Sequence, residues 1–142
     1  MKTNYSLRYA SHPVDAKNYD TQRLRKEFLI DTLFVNDEVN MVYSMYDRMI
    51  VGGVMPKAET LRLEAIDPLK ATYFTTRREI GVFNVGEGEG VVKVGEESFT
   101  LGFKEALYIA VATEMCCLRA RTSASCQILF QQYLCSYQLS LP

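Results

Sequence analysis

The sequence predicts an all-β fold, an antiparallel sandwich or barrel with a short N-terminal helix. Three observations predict it. Seven or so short runs are rich in β-branched and aromatic residues, Gly-rich or Asn-Asp turns separate them, and no strand-helix-strand rhythm runs through the chain. With 142 residues, 48% of them hydrophobic, the chain can bury one sizeable core and is short for two. No internal repeat is visible.

Taken in order, Asp20 is placed to cap a short helix over Leu24 to Phe28, with Arg23, Arg25 and Lys26 on its wet side. Phe28–Val35 (FLIDTLFV) and Met41–Tyr46 then read as strands, with a turn at Asn36-Asp37 between them. Met49–Met55 is a third run, interrupted by Gly52-Gly53, where missing Cβ atoms suit a bulge or a close backbone approach. Pro56 ends it. Thr60–Ile66 (TLRLEAI) alternates with period two, so Leu61, Leu63 and Ala65 share one face and Arg62 and Glu64 the other, as in a half-exposed strand. Ile80–Val85 is a further strand, and Gly86–Gly90 (GEGEG) a flexible turn. VVKVGEESFTL forms a hairpin in which Val92 and Val94 oppose Phe99 and Leu101 around Gly95, and Ala106–Val111 closes the legible part.

A net charge of -1 offers nothing to nucleic acid or an anionic membrane, both of which call for clustered Lys and Arg. The segment from Met1 to Asp20 has no apolar run, so no signal peptide or spanning helix is expected and a cytoplasmic location follows. All four cysteines, Cys116, Cys117, Cys126 and Cys135, lie beyond Glu114, where acidic residues cease and Gln and Ser become common. That composition break sets the last part of the chain apart as shaped by other constraints. The cysteines lack the C-x-x-C hooks of a zinc site and the oxidising context of disulfides, so no metal or redox role is expected of them.

The lone histidine, His12, sits beside Pro13 in a polar segment without co-ligands, which makes it an exposed tail residue rather than a metal ligand. Met41, Met45, Met49 and Met55 read as core filler. A hairpin, not a helix, follows Gly86–Gly90, so those glycines serve tight turning rather than phosphate binding. There remain two charged clusters, Asp47-Arg48 and Arg77-Arg78-Glu79.

Three stretches carry a family resemblance: DTQRLRKEFL (Asp20–Leu29), NMVYSMYDRMIVGGVMP (Asn40–Pro56) and YFTTRREIGVFNVGEGEGVVKVG (Tyr73–Gly95). Together they resemble the 5-keto-4-deoxyuronate isomerases, the ketol-isomerases of pectin breakdown, from about Asp20 to Tyr108. The hairpin region, with G-x-V-x-V-G, F-x-L-G and E-A-L-Y-I between Gly90 and Ile109, also looks like the second half of a cupin jelly roll. The resemblance implies a two-cupin chain of which this is the first cupin, with an arm at 1–19, the cupin at 20–110 and the atypical tail at 111–142. It implies an activity, the interconversion of 5-dehydro-4-deoxy-D-glucuronate and 3-deoxy-D-glycero-2,5-hexodiulosonate, and a homo-oligomer. It also implies a zinc ion held in the second cupin by a His-x-His pair, a Glu and a later His. None of those ligand positions exists here, so no catalytic residue and no bound zinc are expected, and the chain alone is expected to be inactive.

Because arginine's planar fork matches a uronate carboxylate, Arg48, Arg77 and Arg78 are the candidate substrate-binding residues. The structural alternative is an Arg-carboxylate pair that fixes strand register or an oligomer contact. For the chain as a whole, the alternative is a metal-less cupin module for sugar binding or oligomerisation. The tail departs from the family, yet its codons permit family-like sequence in other frames: GNGDVLFESKD across Val111 to Arg121, and PAKFYFNSTCAHINYP from Ser125 onward. Two small base slips would account for that. A tail so made is expected to complete the jelly roll poorly, although Cys116–Leu118 and Ile128–Leu134 are apolar enough for strand or helix.

Overall fold

A computed structural model describes residues 2–121 and 126–134. They form an all-β fold built from two sheets: six strands in the order β1-β2-β3-β9-β4-β7, and three in the order β6-β5-β8. The strands are β1 (Lys2–Arg8), β2 (Glu38–Ser44), β3 (Ile50–Val54), β4 (Arg78–Asn84), β5 (Gly90–Val94), β6 (Glu97–Leu101), β7 (Ala106–Ile109), β8 (Met115–Ala120) and β9 (Ile128–Leu134). Helices α1 (Pro13–Ala16) and α2 (Thr21–Phe28) precede β2.

Helix α2 begins where the cap signal puts it, since the Asp20 side chain accepts from Arg23 N at 2.8 Å. The central stretch is the β2–β3 hairpin, with Asp47 and Arg48 both at positive φ in its turn, which matches the right-handed twist of the flanking strands. Its register is regular through Gly52-Gly53, so the expected alternatives resolve to close approach without a bulge. A Cβ at Gly52 would overlap the Phe130 ring inside, and one at Gly53 would lie 2.9 Å from Leu33 Cβ outside.

Between the sheets lie Val39, Met41, Tyr43, Ile50, Val54, Ile80, Val82, Val92, Leu118, Ile128 and Phe130, with Phe74 edge-on to Phe130 at 5.8 Å. Of the methionines read as core filler, Met41 is buried and Met45, Met49 and Met55 are half-buried.

Several expectations need correction. Phe28–Val35 is not a strand: α2 runs to Phe28, and the rest crosses the outer face of the sheet, where Leu33 and Phe34 lie on Gly53. Thr60–Ile66 keeps its predicted faces, with Leu61 and Leu63 buried and Arg62 and Glu64 exposed, but only Leu61 forms a bridge, to Leu118. In the β5–β6 hairpin Val92 does face Phe99, whereas Val94 faces Glu97 and Leu101 faces Gly90. The sheet is not purely antiparallel, because β1, from the arm, pairs in parallel with β2. Nor do the described parts of the tail pack poorly: β8 lies beside β5, and β9 fills the place between β3 and β4 with Ile128 and Phe130 fully buried. Residues 122–125 and 135–142, with Cys135, lie outside the described part.

Candidate functional site

Strand β4 directs Arg78, Ile80, Val82 and Asn84 inward, alternating with Glu79, Gly81 and Phe83 on the outer face. Its two interior ends are therefore polar, and they differ in kind.

At the first end Arg78 is 5% exposed. Its Nη2 donates to Tyr43 Oη at 2.8 Å, its Nη1 donates to the Arg48 carbonyl at 2.7 Å, and the guanidinium carbon stands 5.0 Å from the centre of the Tyr43 ring. Burial pulls the guanidinium below arginine's usual range, the hydroxyl and ring of Tyr43 oppose that, and the nearby charges of Arg48 and Arg77 add to it. The group nevertheless stays cationic at neutral pH. Its contact with the Arg48 carbonyl fixes a hairpin turn in which a bulky residue holds φ 50°.

The three candidate arginines are not gathered into one site. Arg77 is exposed and donates to the Leu69 and Lys70 carbonyls at 2.9 and 3.2 Å, closing the loop before β4. The Arg48 side chain is exposed, and only its backbone carbonyl meets Arg78. Among the described residues none of the three forms an ion pair, so the expected Arg-carboxylate pair is absent there. Glu79 instead accepts from the Tyr108 hydroxyl at 2.7 Å on the outer face. Near the same end Gln132 is fully buried, donating to the Phe74 carbonyl at 2.6 Å, while its Oε1 has no partner among the described residues.

At the other end Asn84 is fully buried and satisfied. Its Nδ2 donates to the Gly88 and Leu101 carbonyls at 2.6 and 2.9 Å, and its Oδ1 accepts from Gly86 N at 3.1 Å. The Gly86–Gly90 turn is thus tied to the core. Sequence reading missed this residue, although an Asn just before a Gly-rich turn is a known turn anchor. Asp37 performs a similar task at the surface: its Oδ1 accepts from Lys57, Ala58 and Glu59 N at 2.8, 3.0 and 3.1 Å, and these bonds hold its carboxyl below the usual range.

His12 is exposed and caps α1, its Nδ1 accepting from Val14 N at 3.3 Å. Burial pushes the Cys126 thiol up. Among the described residues no three His, Cys, Asp or Glu side chains come together to hold a metal ion, and no helix is long and apolar enough to cross a membrane.

No family model matches the chain. Curated relatives do. It is 67% identical over 109 residues to the 4-deoxy-L-threo-5-hexosulose-uronate ketol-isomerase of Bacteroides fragilis, covering 77% of this chain and 39% of the relative. Proteins of the same name match from Formosa agariphila, at 51% over 114 residues with 80% and 40% covered, and from Bacillus pumilus, at 50% over 107 residues with 75% and 38% covered. It is their N-terminal half that the chain matches, and the chain spans about two fifths of their length. Among solved structures, the cupin domain of Schizosaccharomyces pombe Cnp3 superposes with a TM-score of 0.48 at 7% identity, covering 68% of this chain and 63% of that one. An RmlC-like cupin protein from Desulfovibrio desulfuricans gives 0.48 at 15% identity, covering 67% and 79%.

Proposed function

We propose that this chain is the N-terminal part of a 4-deoxy-L-threo-5-hexosulose-uronate ketol-isomerase, an enzyme that moves a carbonyl between adjacent carbons of an open-chain uronate. The observation that carries the proposal is 67% identity over 109 residues to a curated isomerase. In the full-length enzyme a zinc ion, expected in a second cupin outside this chain, would supply Lewis acidity for that isomerisation. The donor set described here does not fit zinc, since the one histidine is exposed at a helix cap and no cluster of ligands forms. No step of that chemistry is assigned to this chain, which by itself is inactive.

Within this reading Arg78 is the residue to hold the sugar's carboxylate, because its buried guanidinium meets only neutral acceptors, whereas Arg77 is committed to loop carbonyls. Arg48 contributes its carbonyl. Residues 111–142 are read as translated outside the family's frame, because their codons permit family-like sequence in other frames. The orphaned Gln132 Oε1 is in keeping with a segment not selected for this interior.

Sequencing the gene from the Phe103 codons onward tests the reading. The result expected is a frame that, once restored, runs on into a His-x-His and Glu cluster and encodes an active isomerase. A verified frame ending at Pro142 would favour a lone cupin module instead. The exposed aromatics beside β7 favour, as a second role, assembly into a homo-oligomer.

A further inference from the structure

We propose that the cleft between β1 and the segment leading from α2 into β2 binds a hydroxylated carboxylate the size of one sugar acid, with Arg8 taking the carboxylate and Asp31 a hydroxyl. The chemistry of the cleft carries this, so it stands or falls apart from the isomerase reading. None of the cleft residues belongs to the tail.

Strand β1 pairs in parallel with β2, and register partners share a face, so Asn4, Ser6 and Arg8 stand with Asn40 and Val42 on the outer side of the sheet. The chain before β2 crosses that side, where Asn40 Nδ2 donates to the Leu33 carbonyl at 3.4 Å. Between them lies a cleft of about 260 Å³, lined by Asn4, Ser6, Arg8, Asn40, Asp31 and Thr32. That is just under the roughly 300 Å³ at which sites for drug-sized molecules begin, and it suits a single sugar ring.

Two features set it apart from an ordinary wet groove. Its floor is fixed, because Asn4 Nδ2 donates to Glu38 Oε2 at 2.8 Å and to Asn40 Oδ1 at 2.9 Å, while Glu38 Oε1 meets Lys2 Nζ at 3.5 Å. An amide held in this way presents its own oxygen in one place, which spares a ligand part of the ordering cost. Its recognition groups are also unengaged. Among the described residues half-buried Arg8 has no carboxylate partner, and neither Asn4 Oδ1 nor the Ser6 hydroxyl has a hydrogen-bond partner.

These groups define the ligand. A guanidinium fork matches a carboxylate in two parallel bonds. Asp31 Oδ1 accepts from Thr32 Oγ1 at 3.2 Å, which leaves its second oxygen for a ligand hydroxyl, and Asn4 and Ser6 can meet further hydroxyls. Ile30 and Val42 offer apolar surface to the C–H face of a ring. A neutral sugar would leave Arg8 unused, and a multiply charged anion such as phosphate would be repelled by Asp31. One carboxylate with several hydroxyls uses the whole set.

Titration of D-galacturonate into the isotope-labelled 142-residue chain, followed through its backbone amides by NMR, tests this on wild type, Arg8→Gln, Asp31→Asn and the distant control Lys93→Gln. The expected result is saturable millimolar binding with shifts centred on residues 4–8 and 30–32. Arg8→Gln should weaken it about tenfold and Asp31→Asn several-fold, at unchanged melting temperature, while Lys93→Gln leaves it intact. Should Arg8→Gln lower the melting temperature, Arg8→Lys, which keeps the charge and loses the fork, should still weaken binding. No saturable shift overturns the proposal. So do shifts centred on Arg78, which would move the sugar acid to the interior, and binding indifferent to Arg8 and Asp31. Equal binding of acetate or glucose, or tighter binding of an amino acid whose ammonium takes Asp31, would also overturn it.

Discussion

The two ends of β4 answer the same problem, a polar side chain in an apolar interior, with opposite chemistry. Asn84 is neutral and finds a partner for each of its contacts within one Gly-rich turn and one neighbouring strand. Arg78 is charged and meets a phenol and a carbonyl from the far side of the sheet, with no carboxylate beside it among the described residues. A neutral, saturated amide stabilises the fold outright, because its groups and their partners would otherwise be buried unpaired. A buried cation with neutral partners adds little net stability, since its desolvation cost offsets what it gains. The comparison teaches that β4 is built for the fold at Asn84 and leaves a charge in reserve at Arg78.

The sharpest way to break the comparison is Asn84→Ala, which orphans two carbonyls and an amide; it is expected to cost about 3 kcal/mol or more in denaturant unfolding. Arg78→Ala should cost about 2 kcal/mol, because it opens a cavity and frees the Arg48 carbonyl. Arg78→Met keeps the packing without the charge and should lie within about 1 kcal/mol of wild type. If Arg78→Met proves as damaging as Asn84→Ala, the two ends are alike and the reserve is illusory. Tyr43→Phe sharpens the contrast: about 1 kcal/mol in the wild-type background and near zero in Arg78→Met, a coupling that a double-mutant cycle reads directly.

The smallest effect is expected at exposed Asp37. Its carboxyl titrates lower in the folded chain than in the unfolded one, so its contribution is present above the ordinary carboxylate range and fades as pH falls through the lowered folded value. Asp37→Asn should therefore lower the melting temperature slightly at neutral pH, where the carboxylate's contribution is present, and flatten the acid limb of the profile, so that variant and wild type converge in acid. An unaltered acid limb would show that the three amide bonds do not bias its titration.

What was legible in the sequence followed short-range signals. The Asp20 cap, the hairpin around Asp47-Arg48 and the strand after Arg77-Arg78-Glu79 are each announced within a few residues. What was not legible depended on distant partners. Phe28–Val35 has strand composition, yet its apolar side chains cover Gly53 from outside and find no ladder there. Strand β1 reads as a polar arm because its partner, β2, lies more than thirty residues away and runs parallel. Arg77 and Arg78 look alike in sequence, and only the alternation of β4 sends one inward and leaves the other on a loop. The tail shows the converse. Ile128 and Phe130, on the alternating strand β9, are enough to fill a sheet position whatever frame produced them.

The most direct test of the account is to purify this chain as it stands, add zinc, and follow interconversion of the 4-deoxy-hexosulose uronate beside an isomerase whose continuation is intact. The account predicts turnover by the intact enzyme and none by this chain, because the described residues assemble no metal site. Zinc-dependent turnover by residues 1–142 alone would contradict it, and would require a catalytic centre that neither the exposed His12 nor the buried Arg78 supplies.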